Sequence, residues 1–143
     1  MKNAKKFFAV LVVLALALSM VIPVSAADKT AKITIQNATA EQTYTIYKMA
    51  DLVTYDIEAD TYSYKVAAGW KAFFTAQGIE VDGTDFILYS GSITDASTFA
   101  ADAVQYAKDN EETVSAYAST TVGKVAAPVV FDAEPGYYCI DST

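Results

Sequence analysis

Between Lys32 and Gln36 the chain alternates, with Ile33 and Ile35 set among Lys32, Thr34 and Gln36. A period of two predicts a strand with one buried face. The stretch "QNATAEQ" is polar and turn-forming. Tyr44 and Ile46, then Leu52 and Val53, resume the β-branched and aromatic composition of a second extended segment. Polar residues from Asp56 to Asp60 separate "LVTY" from "TYSYKV", which predicts a hairpin whose second strand turns Tyr62 and Tyr64 to one face. The period then changes. Val66, Trp70, Phe73 and Phe74 fall at helical spacing, and Gly78 supplies a stop. Asp82-Gly83 is a turn dipeptide between two short extended pieces. Asp95 can cap a second helix, whose Phe99, Ala103, Tyr106 and Ala107 share one face. The last stretch is again rich in strand formers, and "PVVFD" and "GYYCID" flank Ala133-Glu134-Pro135, a hairpin turn. About seven or eight short strands with two inserted helices predict a mainly β fold, a sandwich decorated by helices.

The first residues follow a different rule. Lys2, Lys5 and Lys6 precede an uncharged apolar run from Phe7 to Ile22, and Val24 and Ala26 are the small residues a signal peptidase requires. Residues 1–26 are expected to be a secretory signal peptide, cleaved between Ala26 and Ala27. An uncleaved membrane anchor is the alternative. The run is shorter than the roughly 20 residues a spanning helix prefers, and it ends at Pro23. No cysteine lies near the cleavage site, which argues against a lipoprotein. The expectation is therefore a secreted or cell-surface protein with no membrane attachment after cleavage.

Cleavage leaves 143 − 26 = 117 residues, enough for one domain with a real core. It removes three lysines and no acid, so the formal charge becomes 7 − 17 = −10. Nucleic acid and anionic membranes are poor partners for such a surface. Cys139 is the single cysteine and there is no histidine, which excludes a disulfide scaffold and His-based triads and removes the common zinc sites. Asp56, Glu58 and Asp60 have the alternation of a calcium loop, yet Thr61 and Ala67 stand where an EF-hand wants Gly and Glu. A solvated turn is the reading kept. No cofactor, metal site or paired-acid hydrolase has positive support. Trp70 and Phe73 are read as a helix–sheet contact, with an aromatic ligand platform as the alternative.

"ITIQNATAEQTYTIYKMADL", "TYSYKVAAGWKAFF", "VQYAKDN" and "PGYYCIDS", in that order, resemble the N-terminal domain of Gram-positive sortase-assembled pilin subunits, the isopeptide-forming fimbrial proteins. The likeness spreads over nearly all of residues 30–142. It implies that residues 27–143 form an immunoglobulin-like β-sandwich domain of a non-catalytic pilus subunit. Its partners would be other pilin subunits, a sortase and a host surface ligand. No L-P-x-T-G motif, hydrophobic tail or basic tail is present, and "GYYCIDS" looks like a penultimate strand. The domain is therefore expected to lack its last strand or strands, leaving Tyr138 and Ile140 on an incompletely covered sheet with an open edge.

The resemblance also implies a site. Members that form an internal isopeptide bond join a first-strand lysine to an asparagine, beside a buried acid. Lys48 is the positional candidate for that lysine, and a lysine snorkelling at a strand edge is its plainer reading. Asp141 is one place off the acid position, where Ser142 stands, so it would face the opposite side of its strand. Asn110 is the only asparagine after Lys48. Lys124 is the candidate for the separate, sortase-linked lysine, against an ordinary surface strand lysine. A reading from another class is a free-standing secreted binding module that uses exposed tyrosines for a carbohydrate or host-protein ligand. Tyrosine offers contact area and a hydroxyl at low entropic cost.

Overall fold

Strand β2 (Thr43–Asp56) is the spine of the computed structural model. The structure describes residues 31–56, 58, 60–88 and 93–143, and the expected signal peptide and its cleavage site at Ala26 and Ala27 lie outside them. The other elements are β1 (Ala31–Ile35), β3 (Thr61–Val66), α1 (Lys71–Ala76), α2 (Ala96–Asp109), β4 (Ala118–Thr121), β5 (Val129–Ala133) and β6 (Gly136–Ser142).

All of β2's partners are antiparallel. β6 runs beside it from Tyr44↔Ser142 to Asp51↔Gly136. β4 covers Thr43–Ile46, and β3 covers Ala50–Asp56. Ile46 pairs with both Ala118 and Ile140, and Ala50 with both Val66 and Tyr137. One residue cannot pair twice on the same edge, so β6 holds one edge of β2 while β4 and β3 share the other. β1 and β5 form a separate two-stranded sheet centred on Ile33↔Phe131.

The two sheets and two helices make three layers. Tyr44, Ile46, Tyr138 and Ile140 point to one side of the larger sheet and pack against Ile33 and Phe131 of the smaller one. Met49, Val66 and Cys139 point to the other side, where Trp70, Phe73 and Phe99 of the helical layer cover them. β6 is thus buried on both faces, which is why "YYCI" reads as a continuous apolar run rather than an alternation. Asp95 caps α2 as expected, accepting from the Thr98 N–H at 3.0 Å. At the other end of α2, Lys108 forms a 2.8 Å ion pair with Asp141, fixing the helix to β6.

The architecture is a small mixed α/β domain, and several expectations change. The first helix does not span the whole run from Val66 to Gly78. It is confined to Lys71–Ala76, because Gly69, with φ at +84°, turns the chain just before it. A Cβ there would lie 2.4 Å from the Thr113 carbonyl oxygen, so only glycine admits this approach. The pieces around Asp82-Gly83 form isolated bridges, Val81↔Ile87 and Lys65↔Phe86, not strands. Nor is Ala133-Glu134-Pro135 a hairpin turn: it carries the chain from the smaller sheet to the larger one. Tyr138 and Ile140, expected on an incompletely covered sheet, are 9% and 6% accessible and pack with Ile33 of β1 and Phe131 of β5. Among the described residues, no strand pairs with the outer edge of β6.

Candidate functional site

The β2–β3 hairpin carries a run of tyrosines whose spacing follows from sheet geometry. Tyr55 and Tyr62 are directly opposed in register, and their rings stack with centroids 4.5 Å apart and planes 22° from parallel. Tyr64 lies two residues along the same face, with its ring 6.4 Å from that of Tyr62 and 20° from parallel. Across β2, Tyr137 of β6 meets Tyr64 edge-on at 6.5 Å. Cross-strand and diagonal aromatic pairs of this kind stabilise a sheet. The inner end of the ladder joins the helix-side core through Tyr137. The outer end is open, with Tyr62 46% exposed.

The tip is shaped by acids. Asp56 accepts from the Glu58 N–H at 3.0 Å in an Asx turn, and Asp60 takes a left-handed φ of +49°. The Tyr62 phenol is pushed up to about 12 by hydrogen bonding with Tyr55, by partial desolvation and by the Asp60 carboxylate. Burial raises Tyr64 and Tyr137 as well. Tyr62, Tyr64 and Tyr137 therefore present neutral hydroxyls at physiological pH. Among the described residues, no group of three or more His, Cys, Asp or Glu is placed to hold a metal ion.

Lys48 occupies a second polar locus, on the opposite face of the sheet. It follows Tyr44 and Ile46 on the side of the smaller sheet, next to a register shift between Lys48 and Ala50. It is not at a strand edge: its side chain is 11% accessible, near the middle of the central strand. Its ammonium contacts Asp51 and lies 2.6 Å from Glu134 Oε2, 5.9 Å from the centre of the Tyr117 ring. Glu134 is held by its backbone. Its N–H donates to the Tyr117 hydroxyl at 3.2 Å, and its carbonyl accepts from the Tyr138 hydroxyl at 2.8 Å. Burial pulls the Lys48 pKa down, but hydrogen bonds to Asp51 and Glu134 outweigh it and leave the pKa above its usual value. Lys48 is a paired ammonium, without the free lone pair that a nucleophile needs.

The other sequence candidates are scattered. Asp141 faces the helices and pairs with Lys108, on the far side of the sheet from Lys48. Asn110 ends α2, its side chain donating to the Tyr106 carbonyl at 2.9 Å. The acids that do reach Lys48 are Asp51 and Glu134, and sequence reasoning placed Glu134 only in a turn. The available signal was its position directly before Pro135-Gly136, at the start of the strand that pairs with Lys48. Lys124 lies exposed between β4 and β5, outside any strand. Cys139 is 1% accessible and its thiol is pushed up to about 12, mainly by burial. Trp70 is also 1% accessible, so it belongs to the core and offers no ligand platform. No helix among the described residues is long and apolar enough to cross a membrane. Comparison with known proteins gives no matching family model and no significant match to a curated protein or a solved structure.

Proposed function

We propose that this chain is a secreted, non-catalytic binding module whose contact surface is the tyrosine ladder of the β2–β3 hairpin. The observation that carries the reading is the continuous ring contact of Tyr137, Tyr64, Tyr62 and Tyr55, in which Tyr62 is exposed and the other three are half-buried. One end is rooted in the core and the other opens to solvent at Tyr62. Rings that already stack lose little freedom when a ligand arrives, so the surface is preorganised. The test is to immobilise the chain without residues 1–26 and screen it against glycans and extracellular proteins, in parallel with Tyr62→Ser. A ligand retained by the wild type and lost by the variant supports the reading. Equal retention by both would remove the ladder from the function.

A second reading is a structural subunit of a sortase-assembled pilus, with the two facing sheets taken as part of an immunoglobulin-like sandwich. It is favoured by the core shared between β1–β5 and the β2–β6 pair. In this reading the partners are neighbouring subunits, a sortase and a host surface, and Lys48 supports the fold electrostatically instead of forming an isopeptide. Covalent high-molecular-weight ladders of this chain in cell-wall extracts support it. Recovery solely as a free secreted monomer counts against it.

A further inference from the structure

Taking the ladder to be the binding surface, as proposed above, we infer that its ligand is a basic polypeptide segment. Lysine or arginine side chains would lie against the exposed ring of Tyr62 with their heads at Asp60 and the tyrosine hydroxyls.

The first argument is which parts of the rings are free. Tyr62, the most exposed ring of the ladder, has Tyr55 at 4.5 Å and Tyr64 at 6.4 Å, both near parallel. Tyr55, directly opposite, stacks on one face, and Tyr64, two residues along the same strand, flanks it at the longer distance. What it offers to solvent, at 46% exposure, is ring surface and a hydroxyl beside the Asp60 carboxylate. Exposed ring surface next to a carboxylate suits a long cationic side chain, whose stem packs on the ring while its charged head reaches the carboxylate and the phenol oxygens.

The second argument is charge. The hairpin and its approach carry Asp51, Asp56, Glu58 and Asp60 against Lys65, and the one further lysine, Lys48, is buried against Asp51 and Glu134. The whole chain has a formal charge of −7 before any cleavage. A neutral glycan gains nothing from this field and an acidic one is repelled, whereas a basic segment is drawn toward the tip.

The experiment titrates the chain lacking residues 1–26 with short, unstructured arginine- and lysine-rich peptides, and separately with neutral oligosaccharides. Hairpin amide resonances report the position of binding, and peptide anisotropy reports affinity at low and high salt. The expected result is peptide binding that shifts residues 54–64 and weakens with salt. Asp60→Asn, which keeps the ring stack, should weaken it roughly two- to fivefold, within the range expected of a solvent-accessible charge contact. Tyr62→Phe should weaken it by a smaller factor. Oligosaccharide binding that shifts the same residues without peptide binding would overturn the basic-ligand inference and leave the binding surface standing. Salt-sensitive peptide binding indifferent to both substitutions would be diffuse charge attraction and would also overturn it. If neither probe moves the hairpin, the inference and the binding-surface reading fail together.

Discussion

Replacing Glu134 with glutamine removes one charge from the Lys48 locus and keeps the side chain's shape. The Lys48–Glu134 contact is 2.6 Å, with the lysine side chain 11% and the glutamate 30% accessible. Breaking a fully buried pair costs about 3–5 kcal/mol, and an exposed pair contributes about 0.2–1 kcal/mol. This pair lies between the two, and Asp51 remains to hold the ammonium. The expected loss is therefore about 1–2 kcal/mol, less than a buried orphan charge would cost. The pH dependence has a definite sign. The folded pKa of Lys48 is raised, so its contribution is complete below the unfolded lysine value of about 10.4 and is lost as pH rises through the folded value. Urea unfolding followed by the fluorescence of Trp70, the only tryptophan, should show the gap between wild type and Glu134→Gln in full at pH 8. The gap should close at strongly alkaline pH. Equal midpoints at pH 8, or a gap unchanged above pH 11, would refute the assignment of Lys48 as a charged, paired lysine.

Other substitutions probe the scaffold. Trp70→Ala should cost about 3–5 kcal/mol, because Trp70 is 1% accessible and contacts Phe73 and Tyr106 edge-on or tilted at 5.5 Å; calorimetry checks it. In Gly136→Ala the new Cβ would stand 2.4 Å from the Ala50 carbonyl oxygen and 3.0 Å from Lys48 Cε. Backbone there has to move, and a loss of about 1–3 kcal/mol in denaturant unfolding follows from overpacking. Cys139, buried and with its thiol pushed up to about 12, should resist thiol reagents in the native protein and react promptly in denaturant. Fast native labelling would place it outside the core.

Much of the fold was legible because local signals and tertiary demands agree. Ile33 and Ile35 alternate because β1 has one buried face, and Asp95 precedes α2 because its carboxylate bonds the Thr98 N–H. The polar tip from Asp56 to Asp60 marked the β2–β3 hairpin, and the sharing of one face by Tyr62 and Tyr64 followed from period two. The failures lie where long-range contacts decide. Glu134-Pro135-Gly136 has the composition of a hairpin turn, and nothing local says that the flanking strands enter different sheets. The shortness of α1 depends on Gly69 meeting Thr113, forty-odd residues away in the chain. The ladder was visible only in part: Tyr62 and Tyr64 share a face by alternation, but the pairing of Tyr55 with Tyr62 is a matter of register. Its last ring, Tyr137, comes from a strand more than seventy residues later.

The most direct measurement follows the tyrosine ring resonances of the chain lacking residues 1–26 while a retained ligand is titrated in. The account predicts that Tyr55, Tyr62 and Tyr64 shift together with a common saturation curve, while Tyr44 of the inter-sheet core and Tyr106 of α2 stay fixed. Saturable binding that leaves the three hairpin rings unmoved would contradict it and place the function on another face of the molecule.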